Sequence, residues 1–218
     1  MNSDFWFYWL AIVITFCVWL VLFIYSKNTR KEMVITGILV TPFVVIDYFT
    51  VPMYWTPKTL FNIPVGIEGF IFTFFLSGIA AVIYEVVMRK RIGKKKDKFN
   101  TNSIVIFIAV TLFVILLFWF IKINIIYFII LENMFSSGVI CFFRKDLLKD
   151  TIYSALFFSS VNFIIFTLWG LLVPSALNWW TIKGIRLGVI PIQELLFSFS
   201  FGAFVGPLYE YLTNGRIK

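Results

Sequence analysis

Residues 55–74 read Trp55-Thr-Pro-Lys-Thr-Leu-Phe-Asn-Ile-Pro-Val-Gly-Ile-Glu68-Gly-Phe-Ile-Phe72-Thr-Phe74, and the stretch closes at Tyr84-Glu85. It returns 125 positions later as Trp180-Thr-Ile-Lys-Gly-Ile-Arg-Leu-Gly-Val-Ile-Pro191-Ile-Gln193-Glu194-Leu-Leu-Phe197-Ser-Phe199, closing at Tyr209-Glu210. Laid over 180–217 without a gap, residues 55–92 match at 10 of 38 positions. Apolar composition can match isoleucines and phenylalanines by chance. It does not readily match a Trp-Thr start and a Tyr-Glu end at one offset. The chain is therefore read as an internal duplication.

Hydrophobic residues make up 61% of the chain, charged residues 14%, and the mean hydropathy is +0.93. A soluble domain is nearer half apolar and a quarter charged, so this composition indicates an integral membrane protein. There is no histidine. That excludes histidine-based triads, histidine metal sites and histidine general bases. Cys17 and Cys141 lie in apolar runs without C-x-x-C spacing and are read as packing residues. The first apolar run follows Asp4 with no basic region or cleavage site before it, and is expected to be a retained span.

Seven stretches are long enough to cross about 30 Å of hydrocarbon, which takes roughly 20 helical residues. They are 4–25, 33–53, 65–88, 101–121, 123–143, 151–174 and 187–212. The connections after the first, third and fifth spans, with the tail after the seventh, hold 15 of the 19 Lys and Arg, including the run 89–98. Lys58, Lys122, Lys183 and Arg186 fall on the other side. By the positive-inside rule the N-terminus is outside and the C-terminus cytoplasmic. The basic run is read as a topology signal before a contact with anionic lipid. A three-span unit joined directly to a second copy would invert it; one extra span, 101–121, restores the orientation. The expected fold class is an all-α membrane protein of seven helices in a three plus one plus three layout. It divides into a first three-helix repeat (1–92), a basic loop and linking helix (93–121) and a second repeat (122–218). Paired sites from parallel repeats are expected near their interface.

An ionisable group inside a membrane costs about 2.5–3.5 kcal/mol on insertion scales and is a functional candidate by default. Asp47, Glu68 and Glu194 are expected in the outer half of the bilayer; Glu85 and Glu210 fall near the inner surface. Glu85 and Glu210 are read as anchors of the inner ends, pairing with Arg91 and Arg216 or facing water. Glu68 and Glu194 sit beside Phe and Trp, a setting suited to a protonated carboxyl that donates to hydrocarbon. Their structural alternative is hydrogen bonding between helices. Glu132-Asn133 has no counterpart in the first copy and is left as either glue or site.

Other features weigh less. Asp146-Leu-Leu-Lys-Asp150 has the D-x-x-x-D spacing of a magnesium–diphosphate site, but beside Arg144, Lys145 and Lys149 it reads as a solvated loop with capping acids. Ser77-Gly78 and Gly202-Ala203 stand at matching places and favour close helix approach. Trp55, Trp179 and Trp180 are read first as interfacial belt residues and second as faces that stabilise a cation. A retinal-binding pump needs a lysine in its last span, and 187–212 contain none.

Taken in order, Asp47, Trp55, Gly-Ile-Glu68-Gly-Phe-Ile-Phe72 and Tyr84-Glu85 resemble the integral-membrane lycopene cyclases. Pro191-Ile-Gln193-Glu194-Leu-Leu-Phe197 resembles that family's P-x-E-E-x-x-F-F segment, and Arg144-Lys-Asp146-Leu and Gly202-Ala-Phe-Val-Gly-Pro-Leu-Tyr209-Glu210 are similar to it as well. The resemblance implies cofactor-free, redox-neutral cyclisation of the ends of a linear carotenoid, an isomerase (intramolecular lyase) reaction. An acid protonates a terminal double bond, the carbocation closes a ring, and a base removes a proton. Two carboxyls in different environments suit the two tasks. The family has adjacent acids; here the copies read Glu68-Gly69 and Gln193-Glu194, so each keeps one acid, at different positions of the pair.

The expected catalytic residues are Glu68 and Glu194, with Asp47 orienting or sharing a proton. Trp55, Phe72, Trp180, Gln193 and Phe197 are the expected substrate contacts. No cofactor or metal is expected. The expected partners are membrane lipid and a linear carotenoid or polyprenyl substrate, with no nucleic acid, a possible homo- or hetero-oligomer, and a plasma-membrane location. The alternatives are another proton-initiated isoprenoid reaction such as hydration, a non-catalytic carotenoid- or lipid-binding protein, an inactive half of a hetero-oligomer, and a small proton-coupled transporter.

Overall fold

Spans rich in Leu, Ile, Val and Phe can satisfy their backbone groups in lipid only by closing into helices. The computed structural model is all-helical apart from one short hairpin, and it describes residues 4–51, 53–89, 99–118 and 123–215. Six stretches among them are long and apolar enough to cross a membrane: Phe5–Tyr25, Arg30–Thr50, Ile67–Val87, Ile125–Phe143, Lys145–Leu172 and Ile192–Thr213. This is a helical membrane protein. The expected linking span 101–121 is represented by the helix Thr101–Phe118, and 119–121 lie outside the described residues, as do most of the basic run 89–98, Lys122, Arg91 and Arg216. The expected pairing of Glu85 and Glu210 with those two arginines therefore also lies outside them.

The helices are α1 (Phe5–Tyr25), α2 (Arg30–Val40), α3 (Asp47–Thr50), α4 (Ile67–Val87), α5 (Thr101–Phe118), α6 (Ile125–Phe143), α7 (Leu148–Leu172), α8 (Ile192–Val205) and α9 (Leu208–Thr213). Between α2 and α3 the chain tightens into a 3-10 segment, Thr41–Ile46. Pro42 has no N–H to give the turn before it, which breaks the α-ladder there. Thr41 Oγ1 donates to the Gly37 carbonyl at 2.6 Å, and the tightened turns bring Asp47 to α4. A similar break falls at Gly206-Pro207, between α8 and α9.

Helices α4 and α8 are central: α1 and α2 pack on α4, while α6 and α7 pack on α8, and α4 meets α7 across the middle. Gly202 sets the α7–α8 approach. A Cβ there would come within 2.8 Å of the Ser154 carbonyl oxygen and 3.1 Å of Ala155 Cα, so no larger residue fits without moving backbone. Gly78 stands similarly against the Trp19 ring and the Met33 carbonyl, as the small-residue reading expects. α5 sits at the edge, touching α6 and α9.

The two Trp-Thr segments meet. Trp55 and Trp180 form an antiparallel bridge. Thr56 N–H donates to the Trp179 carbonyl at 2.7 Å, and Thr181 N–H to the Tyr54 carbonyl at 2.9 Å. The pairs 54/179 and 56/181 are each 125 apart, so these bonds are reciprocal. After Trp180 a hairpin pairs Arg186–Leu187 with Ile190–Pro191 around Gly188, whose φ of 60° requires glycine-like freedom, and delivers the chain to α8.

Candidate active site

Glu68 and Glu194 each lie in the first turn of a central helix, where the aligned peptide dipoles favour acids. Asp47 opens α3 at the same end of the bundle. Beside them lies a cavity of about 480 Å³ with overwhelmingly apolar walls. It is lined by Asp47 and Glu194, and by four of the five expected substrate contacts: Trp55, Phe72, Trp180 and Phe197. Tyr8, Tyr54, Glu132, Asn133 and Phe166 complete the part of the wall relevant to chemistry.

Glu194 is buried and accepts two hydrogen bonds on one oxygen. Tyr54 Oη donates to Oε2 at 2.5 Å and Trp180 Nε1 donates to the same oxygen at 3.1 Å. Tyr54 lies in the connection outside the spans. Burial first, and then the charge of Glu194, push its phenol well above the ordinary range, so it remains a donor. Among the described residues Asp47 has a single side-chain donor, Thr50 Oγ1, at 2.9 Å from Oδ1. Its Oδ2 lies 3.3 Å from where a Cβ would stand on Gly69. Gly69 thus leaves the space that Asp47 fills.

Glu68 and Gln193 do not line the cavity. Glu68 is fully buried; its Oε1 accepts from the Leu60 N–H at 2.7 Å, tying the 55–66 connection to α4. Its Oε2 has no hydrogen-bond partner among the described residues. Gln193 Nε2 donates to Tyr127 Oη at 3.0 Å. The 125-residue offset aligns Glu68 with Gln193 and Gly69 with Glu194. Adjacent helix positions differ by about 100° of turn, so on α8 Glu194 lines the cavity and Gln193 does not. On α4 neither Glu68 nor Gly69 is in the wall, and Gly69 borders the Asp47 carboxyl instead.

The aromatic wall is continuous. Tyr8 meets Trp55 and Phe72 edge-on with ring centroids 5.4 and 5.9 Å apart, and Phe166 meets Trp180 at 5.6 Å. Trp179 and Trp180 are 7% and 6% exposed and packed inside the bundle, which overturns the belt reading for them: a belt ring presents itself to lipid. Composition hid Tyr8 and Tyr54 among nine tyrosines. The one signal for Tyr54 is its place immediately before the repeated Trp-Thr. Glu132 accepts from Ser136 Oγ at 2.9 Å and reaches the wall, whereas Asn133 Nδ2 donates to Ser200 Oγ at 3.4 Å between helices.

A second layer of acids lies at the opposite ends of the helices. Glu32, which sequence reading passed over, meets Glu85 and Glu210 with carboxylate oxygens within 4.8 Å of one another, all buried. Among the described residues this is the set spaced to share a cation, and it is separate from the cavity wall. The D-x-x-x-D acids part company. Asp146 pairs with Arg144 at 2.7 Å and is half exposed, while Asp150 is buried and accepts from Ser154 Oγ at 2.8 Å. Asp150 is thus a buried helix-start acid and not a solvated one.

Residues 124–212 match the family model described as lycopene cyclase. No curated protein and no solved structure matches the chain. The match runs from the Asn124 cap of α6 through most of α9, and so includes Glu132, Trp180, Glu194 and Phe197. The segment that brings Glu194 to the cavity is thus similar to the lycopene cyclase family model.

Proposed function

We propose that this chain closes the end groups of a linear carotenoid, such as lycopene, by proton transfer within the membrane. The observation that carries the reading is that Asp47 and Glu194, with Glu132 as a third carboxyl, line one apolar, aromatic-walled cavity. A carboxylic acid proton adds to the terminal C=C and leaves a tertiary cation. The π electrons of an internal C=C then form the ring bond and carry the cation into the ring. The second carboxylate takes a proton from a neighbouring ring carbon, whose C–H electrons become the ring C=C. The net change is an isomerisation, so atoms and electrons balance with no co-reactant. The faces of Trp55, Phe72, Trp180 and Phe197 offer the negative potential that a passing carbocation needs.

In this reading Asp47 and Glu194 are the acid–base pair, and Glu68 positions the connection that carries Tyr54 and Trp55. The reciprocal bonds about Trp55 and Trp180 support two parallel three-helix repeats, 1–92 and 122–218, related by a pseudo-two-fold axis with α5 as tether. The wider proposal is a seven-span protein of the plasma membrane, N-terminus outside, that draws its polyprenyl substrate from surrounding lipid. The test is pigment analysis of a lycopene-accumulating host carrying the parent chain, Asp47→Asn or Glu194→Gln. Mono- or bicyclic carotene from the parent, lost in both variants, is expected. Unchanged lycopene with inserted parent protein refutes the reading. Retained binding of lycopene by a parent that makes no ring would instead support a carotenoid-binding role.

A further inference from the structure

Both donors to Glu194 bind the same oxygen. Tyr54 Oη and Trp180 Nε1 converge on Oε2 at 2.5 and 3.1 Å, and neither engages Oε1. The two donors come from opposite copies, on the two segments that the Thr56–Trp179 and Thr181–Tyr54 bonds lock together. The clamp is therefore held by backbone as well as by side chains. Tyr54, Trp180 and Glu194 are all buried, and the Trp180 ring is wedged edge-on against Phe166 and Trp169 at 5.6 and 5.9 Å. Asp47 is held differently: among the described residues its side-chain donor is Thr50, three residues away on the same turn.

We infer that Tyr54, with Trp180, is a positioning residue that pins Oε2 of Glu194, makes Glu194 the proton acceptor of the pair, and fixes which ring carbon loses its proton. The inference rests on the proposed cyclisation. An ionised carboxylate accepts hydrogen bonds only, and donors on it shorten and strengthen with its charge, so two donors on one oxygen suit a base. With Oε2 held, Oε1 is presented to the cavity at one place. The ring cation has more than one adjacent C–H, and each choice leaves the ring double bond at a different position. The carbon nearest Oε1 is the one deprotonated. Releasing Oε2 lets the carboxylate swing and reach a second carbon.

The experiment uses the full chain in detergent–lipid micelles with lycopene, reading both turnover and the position of the ring double bond in the product. Tyr54→Phe removes one donor and keeps the ring in the wall. Turnover should fall about 10- to 100-fold, as expected for a lost hydrogen bond to a charged group. KM should stay near the parent value, and the proportion of ring-double-bond isomers should shift. Trp180→Phe removes the other donor independently and should shift that proportion in the same direction, so the test survives if one variant fails to fold. Parent isomer proportions in both variants overturn the inference, because mere loosening of the fold lowers turnover without redirecting proton loss. Ring closure by Glu194→Gln at the parent rate overturns the base role of Glu194 and the inference with it. A parent that makes no cyclic product overturns the underlying cyclase reading instead.

Discussion

Gly69→Ala separates stability from activity in this protein. Position 69 is helical, so alanine should add helix propensity worth roughly 0.8–1 kcal/mol. The new Cβ, however, would stand 3.1 Å from Val44 Cγ2, 3.3 Å from Asp47 Oδ2 and 3.8 Å from Tyr8 Oη. The first two contacts are shorter than comfortable packing allows, so the 3-10 segment and the Asp47 carboxyl must retreat by a few tenths of an ångström. Misplacement by about 1 Å at a reacting group can cost 10²-fold in rate, so a few tenths should cost about four- to tenfold. The crowding of Val44 offsets much of the propensity gain, leaving net stability within about 1 kcal/mol of the parent. Initial rates of lycopene cyclisation, with Tm in the same detergent, measure both. Gly138→Ala is the control: it is helical with nothing within 4 Å of its Cβ, so it should leave the rate unchanged. Parent-like turnover in Gly69→Ala would refute the reasoning that Asp47 borders the reacting centre.

Glu68→Gln should keep cyclising, because Glu68 is outside the cavity and glutamine can still accept from Leu60 N–H. Glu68→Ala should lower stability by about 1 kcal/mol by orphaning that half-buried donor, seen as a lower Tm. Gly202→Val should cost at least about 1–3 kcal/mol, since its Cβ meets the α7 backbone and not a movable side chain, and poor yield of folded protein on size-exclusion chromatography would report it. Arg144 donates to the Glu210 and Gly215 carbonyls and to Asn214 Oδ1. Arg144→Ala should therefore release the end of α9, with faster proteolysis confined to that end and about 1.5–3 kcal/mol lost for the charged hydrogen bonds.

The helices were legible because hydropathy is local. Four of the seven expected spans have ends within about three residues of the observed ones; the sixth, expected from 151, begins near Lys145, and the seventh, expected from 187, begins at Ile192. The sorting of acids into two layers was legible too, because depth along a helix is residue count times rise. Asp47, Glu68 and Glu194 fall at one end, with Glu85 and Glu210 at the other. Trp55, Phe72, Trp180 and Phe197, singled out as aromatic residues flanking a repeated acid motif, line the cavity.

Facing is a different matter. Glu68 and Glu194 look equivalent in sequence, yet they sit at neighbouring positions of the aligned pair, and one step rotates a side chain by about 100°. Which step meets the cavity depends on how α4 and α8 are rolled against α2, α6 and α7. Asp47 reaches the Gly69 gap only because Pro42 breaks the α2 ladder. Tyr54 meets Glu194 across 140 residues of chain. Sequence by itself determined the helices, the two acid layers and the repeated motif, since each follows from spacing along one chain. The tertiary structure alone decided which carboxyls share a cavity and which donors hold them, since those depend on the rotation and contact of separate helices.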